Sequence, residues 1–172
     1  MEQIKKYMRT DGVLNLIAMG LTVFTSLYIF LIEHRLLSNY VQSLPSGENG
    51  KLGLGLGIGI LMIFLVLCAV VMLAFALGEL IVGLVLIGNA KKELRRTPIP
   101  TIVTGITAKL LSAAGFVLLS LFAFDTEGFS VFSKILYAIG LVYCVVSSII
   151  SVVFVVLIAQ EQRALREEGQ ND

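Results

Sequence analysis

The sequence predicts an all-α integral membrane protein: four transmembrane helices in an antiparallel bundle, with the N- and C-termini cytoplasmic. Three observations predict it. The 172 residues are 57% hydrophobic and 15% charged, with a mean hydropathy of +0.93. A soluble domain is about 45–50% apolar and 25% charged, so this chain lacks the charge to cover a water-facing surface. Four apolar runs each reach the roughly 20 residues that carry a helix across a bilayer core about 30 Å thick. Lys and Arg also gather in alternate connections between those runs, which sets orientation.

Residues 1–12 (MEQIKKYMRTDG) are polar and basic. Ile4, Tyr7 and Met8 fit one helical face, with Lys5, Lys6 and Arg9 around it. That pattern suits a short helix lying among headgroups, or equally a solvated tail. Residues 13–32 form the first span. This apolar run exceeds the usual signal-peptide core of about 7–15 residues and no A-x-A site follows, so the helix is expected to be retained. Residues 33–51 read as a polar connection. Its first part, EHRLLSNY, continues the helix, and SLPSGENG makes the turn.

The second span is placed at about 60–88, after a glycine-rich lead-in, LGLGLGIGI, at 52–60. The whole stretch 52–90 would be a helix about 55 Å long, too long for one simple crossing and too short on turn signals for two. Its outer end is expected to tilt, protrude or unwind at the glycines. Residues 91–98 (KKELRRTP) are a short basic connection. Pro98 and Pro100 open the third span, about 99–124, because proline is tolerated in a helix's first turn. Residues 125–134 read as a polar turn, 135–159 as the fourth span, and the charged tail as a short extension of that helix. The whole chain, 1–172, is then a single four-helix domain.

Lys5, Lys6, Arg9, Lys91, Lys92, Arg95, Arg96, Arg163 and Arg166 fall on one side of this arrangement. Arg35, Lys51 and Lys134 fall on the other. Nine against three places the first set in the cytoplasm and makes the chain a multi-pass protein of the cell membrane. The cluster Lys91, Lys92, Arg95 and Arg96 anchors this topology and can contact anionic headgroups.

Glu79 and Lys109 are the charges inside the predicted spans. Each lies about fifteen residues from the centre of the 91–98 connection, so an antiparallel hairpin sets them at one depth, roughly 15 Å from the interface. A lone charge there costs at least about 2.5–3.5 kcal/mol. An intramembrane Glu79–Lys109 ion pair is therefore expected, as a structural clasp, as part of an ion relay or gate, or as an assembly signal for another protein.

Small residues make up the second candidate set. Gly105, Ala108, Ser112 and Gly115 follow one side of the third span. Gly140, Cys144 and Ser148 recur every four residues in the fourth, and Ala69, Ala76 and Gly83 every seven in the second. Such stripes let helix backbones approach closely, within the bundle or against a partner's helix. Thr101, Thr104, Thr107, Ser147, Ser148 and Ser151 could line a polar path or bond back to their own helices. Glu33-His34-Arg35 reads as an interfacial charged cap on the first helix.

Several classes are excluded or left without support. A net charge of +1 implies no attraction to nucleic acid. Cys68 and Cys144 form no C-x-x-C pair, and one His gives no basis for a metal cluster. No cofactor box or catalytic constellation is visible, so no enzyme activity is expected. The sequence supports a small four-span membrane subunit or accessory scaffold that packs with itself or a larger membrane complex. The alternative is a small oligomeric transporter or channel using Glu79 and Lys109. The partners are the lipid bilayer and another membrane protein or a second copy of the chain.

Overall fold

The computed structural model describes residues 2–43, 48–91, 98–125 and 129–168. Every element among them is helical: α1 (Glu2–Tyr28), a π-helical turn (Ile29–Glu33), α2 (His34–Ser43), α3 (Glu48–Ala90), α4 (Ile99–Asp125) and α5 (Val131–Glu168). Among the described residues, four stretches are long and apolar enough to cross a membrane: Glu2–Tyr40, Gly59–Ala90, Ile99–Asp125 and Val131–Ala164. The chain is thus built as a multi-pass membrane protein.

The first helix starts earlier than residue 13: residues 2–12 belong to α1, and Ile4 and Met8 are buried in the bundle. After Tyr28 the π turn and α2 carry the same path to Ser43. Four residues of ordinary α-helix overshoot one turn by about 40°. The wider π turn takes up that drift, and Ile29, Glu33 and Leu37 all stay buried. α3 does not unwind at its glycines but runs unbroken from Glu48, which draws Glu48, Asn49 and Gly50 out of the expected turn. Pro98 and Pro100 do open α4: the Ile102 amide donates to the Pro98 carbonyl at 3.1 Å. α5 begins before residue 135, because Ser130 caps it. The Ser133 amide donates to Ser130 Oγ at 3.1 Å, the bond an N-cap serine makes with the third helical residue.

Residue pairs between α1 and α5 come in reverse order of number. Tyr7 of α1 stacks on Phe154 of α5, Tyr143 donates to the Leu14 carbonyl, and Tyr28 lies 3.2 Å from Ser133 Oγ. Gly12 abuts Gly83 of α3, Gly78 abuts Ala108 of α4, and Gly140 of α5 abuts Phe116 of α4. Two apolar clusters result. One joins Ile4 and Met8 to Val82, Leu86, Ile102 and Ile158. The other gathers Ile29, Leu37, Leu65, Met72, Phe116 and Tyr137. Asp11 of α1, Glu79 of α3, Lys109 of α4 and Ser151 of α5 lie between these two along their helices. The outside is apolar too: Ile63 is 72% exposed and Leu121 62%. That distribution suits a surface solvated by lipid.

Close approach depends on glycine at a few positions. A Cβ on Gly12 would lie 3.0 Å from the Gly83 carbonyl, and a Cβ on Gly83 would lie 3.0 Å from the Gly12 carbonyl. This reciprocal contact lets α1 and α3 cross backbone to backbone. The expected small-residue stripes pack inside the bundle. Gly105 faces Asn15 and Val82, Gly115 faces Met72, and Gly140 faces the Phe116 ring. Cys144 is fully buried, and Ser148 donates to its carbonyl at 2.7 Å. Gly57 and Gly59 have nothing within 4 Å.

The tightest of these contacts yields a test. A Cβ on Gly140 would fall 2.3 Å from the buried Phe116 ring. Gly140→Ala should cost about 1–3 kcal/mol through overpacking, seen as a lower thermal midpoint in detergent. Gly59→Ala should cost nothing. Equal melting of the two variants would refute the packing described.

Candidate functional site

The site is built on α1. From residue 11 onward its buried positions Asp11, Asn15, Ala18, Thr22, Thr25 and Ser26 follow one face and hold every Asp, Asn, Ser and Thr of that stretch. Its apolar residues, among them Val13, Ile17, Phe24 and Leu27, are exposed. The helix is amphipathic in the sense opposite to that of a soluble bundle, with its polar stripe inward.

Asp11 is the hub. Lys109 of α4 donates from Nζ to Asp11 Oδ1 at 3.1 Å and to Ser151 Oγ of α5 at 2.5 Å. The Ser151 hydroxyl also lies against Asp11 Oδ1 and 2.9 Å from the Ser147 carbonyl. Its single proton can serve one of those two acceptors at a time. Asn15 donates from Nδ2 to the Asp11 carbonyl at 2.8 Å and to Asp11 Oδ2 at 3.3 Å. Asp11, Asn15, Lys109 and Ser151 are all fully buried. Three helices are therefore joined through one ion pair.

This corrects the pairing expected from the α3–α4 hairpin. Lys109 is bonded to Asp11, not to Glu79. Glu79 Oε1 instead accepts a hydrogen bond from Ser112 Oγ at 2.8 Å. The two residues are level within the helix pair, since a Cβ added at Gly78 would lie 3.8 Å from the Ala108 Cβ. The difference is rotational: successive helix positions turn by about 100°, which aims Lys109 toward α1 and α5. The two charges remain electrostatic neighbours. Glu79 Oε2 and Asn15 Oδ1 are buried and have no hydrogen-bond partner among the described residues.

A second centre lies farther along α1, and the sequence reading missed it. Glu33, read from the sequence as part of a charged cap, is fully buried within the bundle. Ser133 Oγ of α5 donates to Glu33 Oε2 at 2.5 Å. The Tyr28 hydroxyl lies 3.2 Å from both Ser130 Oγ and Ser133 Oγ, which are 2.6 Å apart. Glu33 Oε1 and the buried Tyr137 hydroxyl have no partner among the described residues. Arg35 is exposed, and the His34 side chain lies outside the described residues. Asp11 and Glu33 are separated by about 33 Å of helix, along α1 and the π turn that follows it, close to the thickness of a bilayer core.

The remaining candidates separate cleanly. Thr104 and Thr107 bond back to the Pro100 and Val103 carbonyls at 3.0 and 3.1 Å. Ser147 and Ser148 bond back to Cys144. Ser151 and Ser112 are the hydroxyls drawn into the site. Of the basic connection, Lys91 is exposed; Lys92, Arg95 and Arg96 lie outside the described residues. Among the described residues no three His, Cys, Asp or Glu side chains converge on a metal position. Single carboxylates with hydroxyl and amide oxygens match a proton or a monovalent cation better than a multiply charged one.

No family model, curated protein or solved structure matches the chain. Its class rests on its own geometry: a multi-pass helical membrane protein with a three-helix ion pair in its core.

Breaking that pair should cost more than its gross geometry suggests. Lys109→Met strands the Asp11 carboxylate and should cost on the order of 3–5 kcal/mol. Adding Asp11→Asn should recover part of the loss. Glu79→Gln keeps an acceptor for Ser112 and should cost less than Lys109→Met. Chemical unfolding in micelles of these variants and of Asp11→Asn alone gives the values, and strict additivity of the Asp11→Asn and Lys109→Met singles would rule out the Asp11–Lys109 coupling.

Proposed function

We propose that the protein is a small membrane transporter that moves a proton or a monovalent cation, with Lys109 shared between Asp11 and Glu79. The observation that carries this reading is the unpartnered Glu79 Oε2, buried beside a lysine that is bonded to another carboxylate. A buried carboxylate oxygen without a donor is costly, and a proton or cation relieves that cost. Occupation of Asp11 from the nearby helix ends releases Lys109. The released ammonium then swings to Glu79, and α1 loses its tie to α4 and α5. Departure of the cation restores the tie.

In this reading the four crossings form an antiparallel bundle in the cell membrane. The reverse-order contacts support the bundle, and the nine-to-three bias of Lys and Arg supports cytoplasmic termini. Asp11 then lies toward the cytoplasm and Glu33 toward the opposite face. Catalysis has no part in it.

An accessory-subunit role is the second reading. It is favoured by Gly57 and Gly59, which are exposed on α3 with nothing within 4 Å and leave a smooth track for a partner's helix. The other small-residue stripes are occupied within the chain. Mild extraction followed by native mass spectrometry would reveal a stoichiometric partner or a second copy.

Reconstituted flux separates the two readings. Proteoliposomes containing the wild-type chain should carry a proton or sodium current above that of empty vesicles. Asp11→Asn and Glu79→Gln should each lower it at least about tenfold, the scale of losing 1.4 kcal/mol of differential binding. The variants must keep the wild-type elution volume. Flux that is absent from wild-type vesicles, or unchanged in Glu79→Gln, would remove the transport reading.

A further inference from the structure

Beyond the buried centres, one end of the bundle carries an open cleft of about 650 Å³ between the start of α1 and the end of α3. Among the described residues, Lys5, Lys6 and Arg9 of α1 and Lys91, just past the end of α3, line it, with Glu2 as the one acidic residue. These four cations and one carboxylate give the described lining a charge of +3. The first turn of α1 adds the positive end of a 27-residue helix. Ile87 and Ala90 of α3 supply an apolar wall on the side toward the membrane span. The neighbouring Gly88 has nothing within 4 Å, so the wall stays open there.

We infer that this cleft binds the headgroup of an anionic phospholipid. Three features favour a lipid over a free anion. The cleft sits at the end of two helices long enough to span the bilayer, where headgroups lie. Its cations face a phosphodiester while its apolar wall meets the glycerol and first acyl carbons. The basic residues come from the start of α1 and from Lys91 just past α3, so the bound headgroup bridges these two helix ends just beyond the Gly12–Gly83 crossing. The site is independent of any flux through the core. It requires the membrane-spanning architecture alone.

The test uses the full chain in a mild detergent, titrated with phosphatidylglycerol or phosphatidylcholine and read by native mass spectrometry. Wild-type protein should retain the anionic lipid over the zwitterionic one on the order of tenfold, given the usual gain per basic residue at an anionic surface. Lys6→Gln/Arg9→Gln/Lys91→Gln should bring that ratio to unity with an unchanged circular dichroism spectrum. Arg35→Gln/Lys134→Gln, placed on α2 and α5, should leave the ratio intact. Inorganic phosphate is the control probe. A preference that survives the triple substitution overturns the assignment, and so does equal thermal stabilisation by inorganic phosphate, which would make this a free-anion site.

Discussion

The bond between Lys109 and Asp11 constrains the rest of the structure. Removing two charges from water costs several kcal/mol per ion after relaxation, and attraction in a low dielectric repays it when hydrogen bonds complete the shell. Here Ser151 and Asn15 complete it. Satisfying one lysine therefore fixes three helices: α4 brings the cation, α1 the carboxylate, and α5 the hydroxyl. α3 is drawn in beside them because Glu79 needs Ser112 and shares the field of Lys109. Glycine at 12, 83 and 105 is what makes the geometry attainable, since a Cβ at any of them would strike a backbone carbonyl or the Asn15 amide.

The apolar clusters divide along the same lines. One closes the bundle around Ile4, Met8 and Ile102, the other around Phe116, Leu119 and Tyr137. Between them the helices meet through polar groups. Apolar burial gives no net drive toward association once lipid replaces water, so packing and hydrogen bonds must supply it. The small residues that could have served a partner are mostly used internally: the Phe116 ring fills the notch at Gly140 and Met72 the notch at Gly115. The capacity for change lies in the polar middle, where a lysine has two carboxylates within its electrostatic reach.

The π turn at Ile29–Glu33 does for the far end what the ion pair does for the near one. Glu33 is turned inward there, against Ser133 and the Tyr28 hydroxyl. π turns recur at functional sites because they place side chains a regular helix cannot. The two carboxylate centres are tied to the same pair of helices, α1 and α5. A change of bonding at Asp11 is thus applied to the helix that carries Glu33.

Composition alone determined the solvent of this protein, and the lengths of its apolar runs determined the number of crossings. Both are scalar properties of the chain, independent of how helices face one another. Depth was legible as well: counting from the 91–98 connection placed Glu79 and Lys109 level, and the Gly78–Ala108 contact agrees. Azimuth was not. Which of two equally deep carboxylates receives the lysine depends on helix rotation and on the neighbour across the bundle, and one residue of rotation turns a side chain by about 100°. Asp11 was hidden by its setting among Lys5, Lys6 and Arg9, which reads as an interfacial tail, although its three-and-four spacing with Asn15, Thr22 and Ser26 marks an inward stripe. Glu33 was hidden by a π turn that no local residue pattern announces. Only the packed structure selected Asp11 for Lys109, because only there do α1, α4 and α5 come together.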